Sequence, residues 1–248
     1  MAAKSSIEWT GRTWNPVTGC TKISLGCKNC YAERMSKRLL AMGAKRYRNG
    51  FSLTLQEDLV TLPQKLKKPH IIFVNSMGDL FHRDVPLEYI QRVFDSMARA
   101  PRHIYQVLTK RSERLREVSA ELPWPDHIWM GVTVESSSTR FRIDHLRQVP
   151  AKVRFLSCEP LLGPVGEMNL DGIHWVIAGG ESGPFARPMR AEWVDSILRQ
   201  CREQEAAFFF KQWGGVRKDL TGRLLRGRTY DEMPALPPLH PLELQLQY

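Results

Sequence analysis

The sequence predicts an α/β fold, a partial parallel (β/α) barrel of roughly six to eight strands. Two observations carry this expectation. From about residue 70 onward, a short β-rich apolar run, a polar loop and a stretch of helical period recur in that order. Each apolar run is also followed by chemically capable side chains, and a barrel gathers such residues because every loop leaving a strand opens on the same mouth. A doubly wound open sheet accommodates the same strand count, so it is the placement of the reactive residues that favours the barrel.

The runs are residues 71–74, 104–108, 128–132, 153–156, 175–178 and 207–210. They are predominantly apolar, as parallel strands covered on both faces are. Between them, Leu87, Ile90, Val93, Phe94 and Met97 share one helical face, as do Val194, Ile197, Leu198 and Cys201, so Cys201 is expected to be packed and inert. Weaker helical signals come after Arg111 and Ser136, and the stretch 161–172 is too rich in Gly and Pro for a regular helix. Ahead of the series the pattern gives a strand near 12–17, a helix over about 32–42 with Met35, Leu39 and Met42 in register, and an alternating Phe51, Leu53, Leu55 segment. The whole reads as one domain over 1–232. It carries a basic insertion at about 44–69 and a basic flap at about 217–230, and a Pro- and Leu-rich flexible tail completes the chain over 233–248.

Of the 248 residues, 42% are hydrophobic and 25% charged, the balance of a globular protein able to bury a sizeable core. No apolar run is long enough to span a membrane and the start lacks a secretory h-region, so a cytoplasmic protein with no membrane partner is expected. The formal charge of +10 favours an anionic partner. Candidate contacts are Lys45, Arg46 and Arg48, then Lys65, Lys67 and Lys68, the stretch Arg111 to Arg116, and the flap's Arg223, Arg226 and Arg228. Nucleic acid is the substrate class these suggest, with a solvated basic surface as the plainer reading. His70, His103, His127 and His174 each precede a strand and belong to the face opposite the mouth; only His82 comes after one.

Three of the five cysteines lie between Cys20 and Cys30 in a C-x6-C-x2-C pattern, in the loop between the first strand and the first helix. Gly19 and Gly26 allow tight turns, and Lys22, Lys28 and the N-terminus of the next helix are expected to favour thiolates. A structural zinc site closes with four protein ligands, yet no Cys or His occurs after Cys30 until His70. Three readings are open: an iron–sulfur cluster with one vacant position, a zinc site completed by a distant residue, or unligated thiols.

Ordered blocks along the chain include Trp14-Asn15-Pro16, Gly26-Cys27-Lys28-Asn29-Cys30-Tyr31-Ala32, Phe73-Val74-Asn75-Ser76-Met77-Gly78-Asp79-Leu80-Phe81, and Leu108-Thr109-Lys110-Arg111. Further on come Ser157-Cys158-Glu159-Pro160-Leu161-Leu162-Gly163-Pro164, Gly179-Gly180-Glu181-Ser182-Gly183, Ala186-Arg187-Pro188-Met189 and Phe210-Lys211-Gln212-Trp213-Gly214. On these blocks, over about residues 5–234, the chain resembles the phage-associated radical SAM-like proteins, a family of unknown function. The resemblance implies a partial barrel of the radical SAM type, with a [4Fe-4S] cluster on Cys20, Cys27 and Cys30 whose fourth iron is chelated by S-adenosylmethionine (SAM). Reductive cleavage of SAM would then give a 5′-deoxyadenosyl radical that takes hydrogen from a substrate, with the electron coming from a donor such as flavodoxin or ferredoxin. Two features depart from the usual radical SAM pattern. The first interval holds six residues rather than three, and Asn29 stands where an aromatic usually precedes the third cysteine, with Tyr31 just after it.

The same resemblance distributes roles around the mouth. The loop of Asn75, Ser76, Met77 and Asp79 is the first candidate for the methionine moiety, with Asp79 or the Ser76 and Met77 backbone meeting the ammonium; a plain tight turn is the alternative. Thr109, Lys110, Thr133 and Glu135 are candidates for ribose and carboxylate contacts, or else interior hydrogen-bonding residues. Tyr31, beside the last cysteine, joins the cofactor-binding set. Gly179, Gly180 and Glu181 look like the Gly-Gly-Glu motif that binds the SAM amino group but come after a late strand, which suggests adenine or substrate instead. Cys158 and Glu159 are expected at the mouth, Cys158 as hydrogen donor or substrate contact, and Lys211 completes the catalytic candidates. The rival of a different class is a zinc-stabilised, non-catalytic nucleic-acid-binding or phage–host interaction protein.

Overall fold

In the computed structural model, which describes residues 3–4 and 7–235, all six apolar runs become strands. In chain order the strands are β1 (Ala3–Lys4), β2 (Arg12–Trp14), β3 (Val17–Thr18), β4 (Thr54–Leu55), β5 (Ile71–Val74), β6 (Ile104–Thr109), β7 (Ile128–Thr133), β8 (Arg154–Cys158), β9 (Trp175–Gly179) and β10 (Ala207–Gln212). The main sheet runs β1-β2-β5-β6-β7-β8-β9-β10. Every neighbour from β2 to β10 is parallel, which makes seven parallel strands curled into a half-barrel, with β1 antiparallel at the edge. Strands β3 and β4 form a small separate pair. Most of the predicted tail, residues 236–248, lies outside the described residues.

Helices α1 (Tyr31–Ala41), α2 (Leu87–Ala98), α3 (Ser112–Val118), α4 (Arg142–Arg147) and α5 (Ala191–Glu203) connect the strands, and a short α6 (Lys218–Thr221) lies in the flap. The predicted apolar faces of α2 and α5 are buried through Ile90, Val93, Phe94 and Met97, and through Val194, Ile197 and Cys201. Helix α1 differs. Only Ala32 and Ser36 are buried on it, and Met42, expected in the same apolar register, is 69% exposed. This helix packs chiefly against the short turn at Lys45–Tyr47 rather than the sheet, so it has less core to join.

Strand alternation sorts the core into two layers. Ile72, Val74, Val107, Met130, Leu156, Val176 and Phe208 pack outward against the helices, whereas Phe73, Trp129, Phe155, Trp175, Ile177 and Phe209 fill the concave side. Trp175 is the hub of that inner layer, with the rings of Phe155, Phe209, Trp9 and Trp129 5.6–6.2 Å from its own. These rings close the floor of the half-barrel and leave its opening at the carboxyl ends of the strands. Gly131 makes this packing possible, because a Cβ there would lie 2.5 Å from the Phe155 ring.

The same alternation corrects one expectation. Cys158 comes directly after the inward-facing Ser157, so its side chain turns outward into the helix layer, where it is fully buried near Cys201 and burial pushes its thiol pKa up. It does not reach the mouth. The histidines fall where their position before strands places them: His103 and His127 are buried at strand starts, and each has Nε2 3.0 Å from a backbone carbonyl, of Pro63 and Met97 respectively.

Substituting Gly131→Ala is expected to overpack the floor and cost about 2 kcal/mol, read as a lower urea midpoint at unchanged slope. An unaltered midpoint would show that the Phe155 ring has room to move.

Candidate functional site

The loop carrying the three cysteines leaves β3 and crosses the carboxyl ends of the strands before entering α1. Its start is fixed by backbone contacts. Gly19 forms a parallel bridge with Gly78 and donates its amide to the Met77 carbonyl at 2.9 Å. Gly19 has φ +80°, and a Cβ there would sit 2.2 Å from the Ser52 carbonyl oxygen, so only glycine fits. Asn15 secures the facing loop, its Oδ1 accepting from the Met77 amide at 2.9 Å and the Ser76 hydroxyl at 3.2 Å. Asn75, in the left-handed region at φ 64°, accepts from the Val17 amide through Oδ1.

Beyond this start, three buried carboxylates from three different strand ends hold the loop, each with a basic partner. Asp79 accepts from the Thr109 hydroxyl at 2.7 Å and from the amides of Phe81 and Lys110 at 3.0 and 3.3 Å, and lies 3.9 Å from Arg111 Nε. Arg111 passes the contact on, donating through Nη2 to the carbonyl and hydroxyl of Thr21, both at 2.9 Å, and standing 3.8 Å from Cys20 Sγ. Glu135 takes the middle of the loop. Its Oε1 accepts from the Ser24 hydroxyl at 2.7 Å, with Lys110 Nζ at 3.5 Å and Arg142 Nη1 at 3.9 Å. Gly26 lies directly over it, since a Cβ there would be 2.2 Å from that oxygen. Glu181 takes the far side. It is forked by Arg187 at 2.5 and 2.8 Å and accepts from Asn29 Nδ2 at 3.0 Å, while Arg187 Nη1 donates to the Leu25 carbonyl at 3.0 Å.

Local charge is set by these contacts. At Glu181 burial works to raise the carboxyl, but the hydrogen bonds from the Arg187 side chain and amide and from Asn29 outweigh it and hold the pKa down at about 2. Burial and then the Asp79 carboxylate push the Cys20 thiol up to about 11, with Arg111 opposing. The expectation that basic neighbours favour the thiolate therefore fails at Cys20. Lys22, one of the two lysines invoked, is paired with Glu33 at 2.9 Å. His82, fully buried, accepts the Asp84 amide at Nδ1, so its proton is on Nε2 and is donated to Thr21 Oγ1 at 2.8 Å. Both ring nitrogens are thus engaged, and burial lowers the pKa.

Cys20, Cys27 and Cys30 are all free and partly buried. Among the described residues, no group of three His, Cys, Asp or Glu side chains is close enough to hold a metal ion as it stands, so joint coordination needs the three thiols to come closer together. The donor chemistry suits a sulfur-bound centre: the loop itself offers three soft thiols, and the neighbouring carboxylates are already satisfied by arginine, amide or hydroxyl donors.

Of the residues expected to meet SAM, Ser76, the Met77 amide, Asp79 and Glu181 are thus engaged within the protein, Asn75 Nδ2 is buried without a hydrogen-bond partner among the described residues, and Glu135 supports the cysteine loop. Tyr31 begins α1 with its ring exposed. Other expected residues do line the concave side below the loop. Lys211 Nζ donates to Glu159 Oε1 at 2.6 Å, a mostly buried pair. Gly179 lies between them, where a Cβ would be 3.3 Å from Lys211 Cβ and 3.5 Å from the Glu159 carboxyl carbon. Thr133 and Ser157 are buried in the neighbouring strands. Sequence reasoning assigns no role to Asn15, Ser24, Asn29, Arg142 or Arg187. The usable signal is an arginine or amide near each acidic strand end, since a buried carboxylate needs such a partner.

The Glu181 clamp carries a pH signature. Its carboxyl is depressed in the folded protein from 4.5 to about 2, so its contribution to stability is complete above about pH 4.5 and is lost as pH falls through about 2. Glu181→Gln is expected to lower stability at neutral pH and to flatten this acid limb in urea titrations. Identical acid limbs for the two proteins would rule the clamp out.

In fold, the chain is similar to spore photoproduct lyase. A cysteine-to-serine variant of that enzyme aligns with a TM-score of 0.57 over 85% of this chain and 78% of its own, at 10% identity. A tyrosine-to-phenylalanine variant gives 0.55 over 86% and 79%, also at 10% identity. A cysteine-to-alanine variant with dinucleoside spore photoproduct gives 0.51 at 10% identity over 82% of this chain, which spans only 64% of that protein's length. Likeness at this identity establishes the fold alone, a curled parallel half-barrel. No curated protein sequence matches the chain. The family described as "Protein of unknown function (DUF5131)" matches residues 4–234, and the chain belongs to that family.

Proposed function

We propose that this protein is a radical SAM enzyme acting on nucleic acid, to repair or modify it. The observation that carries the reading is a loop of three free thiols laid across the mouth of a half-barrel and gripped from three separate strand ends. Cys20, Cys27 and Cys30 would hold a [4Fe-4S] cluster. When bound, that cluster supplies the electron that cleaves SAM to methionine and a 5′-deoxyadenosyl radical.

The chain's own residues do the rest. Asp79 with Arg111, Glu135 with Lys110 and Arg142, and Glu181 with Arg187 orient the loop. The aromatic floor around Trp175 closes the concave side to water from below. Lys110, Thr133 and Ser157 supply polar groups for a ribose or a carboxylate, whereas the Thr109 hydroxyl is committed to Asp79 and the Arg111 amide. Lys211, paired with Glu159, orients the substrate, and a phosphate or base edge would take over one of the contacts of that pair. The net charge of +10 supports a polyanionic substrate, as does the dinucleoside held by one protein of the same fold. No helix of the described residues is long and apolar enough to cross a membrane; a cytoplasmic setting with a flavodoxin- or ferredoxin-type donor completes the reading.

Anaerobic reconstitution is expected to load about four irons per chain and, with dithionite and SAM, to release 5′-deoxyadenosine; Cys27→Ala should lose both. A colourless protein carrying a single zinc would favour the non-catalytic rival. Gly26→Ala, which forces a methyl onto the Glu135 carboxylate, is expected to reduce iron loading with an unchanged far-UV circular dichroism spectrum. Full loading of that variant would show that the loop does not depend on Glu135.

A further inference from the structure

At the rim of the mouth, an aromatic ring is held out into solvent by a strained and tightly braced backbone. Phe185 is 85% exposed and has φ 63°, a left-handed conformation that a bulky side chain adopts rarely and at a cost. The strain is maintained by specific contacts. Asn29 Nδ2 donates to the Phe185 carbonyl at 2.9 Å, and Arg34 donates to the carbonyls of Ser182 and Pro184 at 2.9 and 3.1 Å. Gly183 is tied to Gly215 by a 2.9 Å backbone hydrogen bond, and its own φ of +98° suits only glycine. Three elements therefore hold a turn whose side chain touches little of the protein, and burial cannot explain the placement.

The surroundings identify the kind of partner. Many cations of the predicted basic runs are committed internally: Arg46 to Asp58, Arg223 to Asp231, Arg226 to Asp195 and Arg111 to the cysteine loop. Lys28, Arg190 and Arg217 are exposed and, like Lys45, Arg48, Lys65, Lys67 and Lys68 of the insertion, form no ion pair among the described residues, Arg190 lying over the Trp193 ring at 5.8 Å from its centroid. All three flank this turn in sequence or through its contacts: Lys28 precedes Asn29, Arg190 stands five residues after Phe185, and Arg217 lies two beyond Gly215. An exposed ring flanked by cations that have no carboxylate partner among the described residues matches a strand that presents both bases and phosphates.

We propose that Phe185 is a fixed stacking wedge for an unpaired base of a nucleic-acid strand, with Lys28, Arg190 and Arg217 meeting its phosphates. The wedge rests on the proposed function only in deepening its substrate class. Binding is measured on the anaerobically prepared full chain with SAM and reductant withheld, so failure of SAM cleavage and failure of the wedge are separate results.

The probe is a short, labelled, single-stranded DNA of mixed sequence carrying 2-aminopurine, followed by anisotropy and by quenching. Phe185→Ala is expected to weaken binding roughly tenfold and to abolish the quenching while leaving the salt dependence of affinity unchanged, because the phosphate contacts remain. Phe185→Trp should retain both signals. Lys28→Gln should reduce the salt slope by about one and leave the quenching in place. Equal affinity and quenching for wild type and Phe185→Ala would overturn the proposal, as would absence of binding by wild type at low salt, which would point to a protein partner for the exposed ring.

Discussion

The arrangement of the mouth depends on how a charged group survives burial. Asp79, Glu135 and Glu181 are each almost fully buried at the carboxyl end of a different strand, where an uncompensated carboxylate would cost several kcal/mol. Each is compensated by amide, hydroxyl or guanidinium donors, and in every case part of the compensation comes from the cysteine loop or from an arginine touching it. The loop and the carboxylates therefore stabilise one another. The sheet supplies the positions, the carboxylates supply the need for partners, and the loop takes the shape that meets that need.

This mutual dependence explains how much is legible in the sequence. The six main strands can be read to within about two residues, because parallel strands covered on both faces leave continuous apolar runs. The barrel is readable from the reactive side chains at the carboxyl ends of those runs. Side-chain direction is less legible, and Cys158 shows why: a run apolar on both faces carries no alternation to say which residues turn inward, so Ser157 and Cys158 exchange roles unless the register is known. Helix α1 misleads in the opposite way, since its apolar spacing suggests a core face that the fold does not provide.

The acidic residues after the strands stand out in the sequence, but their partners do not. Asn29 reaches Glu181 across 152 residues and Ser24 reaches Glu135 across 111. Such pairings leave no local pattern. The basic runs invite overreading for the same reason, because a string of arginines looks solvent-facing until the distant aspartates that pair with them are in place.

Gly19 and Gly26 come early in the chain, yet the groups that fix their loop extend to Arg187. The amino-terminal thiols cannot be held in their native arrangement until most of the polypeptide has been made and the ninth strand has joined the sheet. Closing contacts so remote in sequence is entropically slow. The arrangement of the three thiols is therefore a property of the finished tertiary structure and not of the eleven residues that carry them.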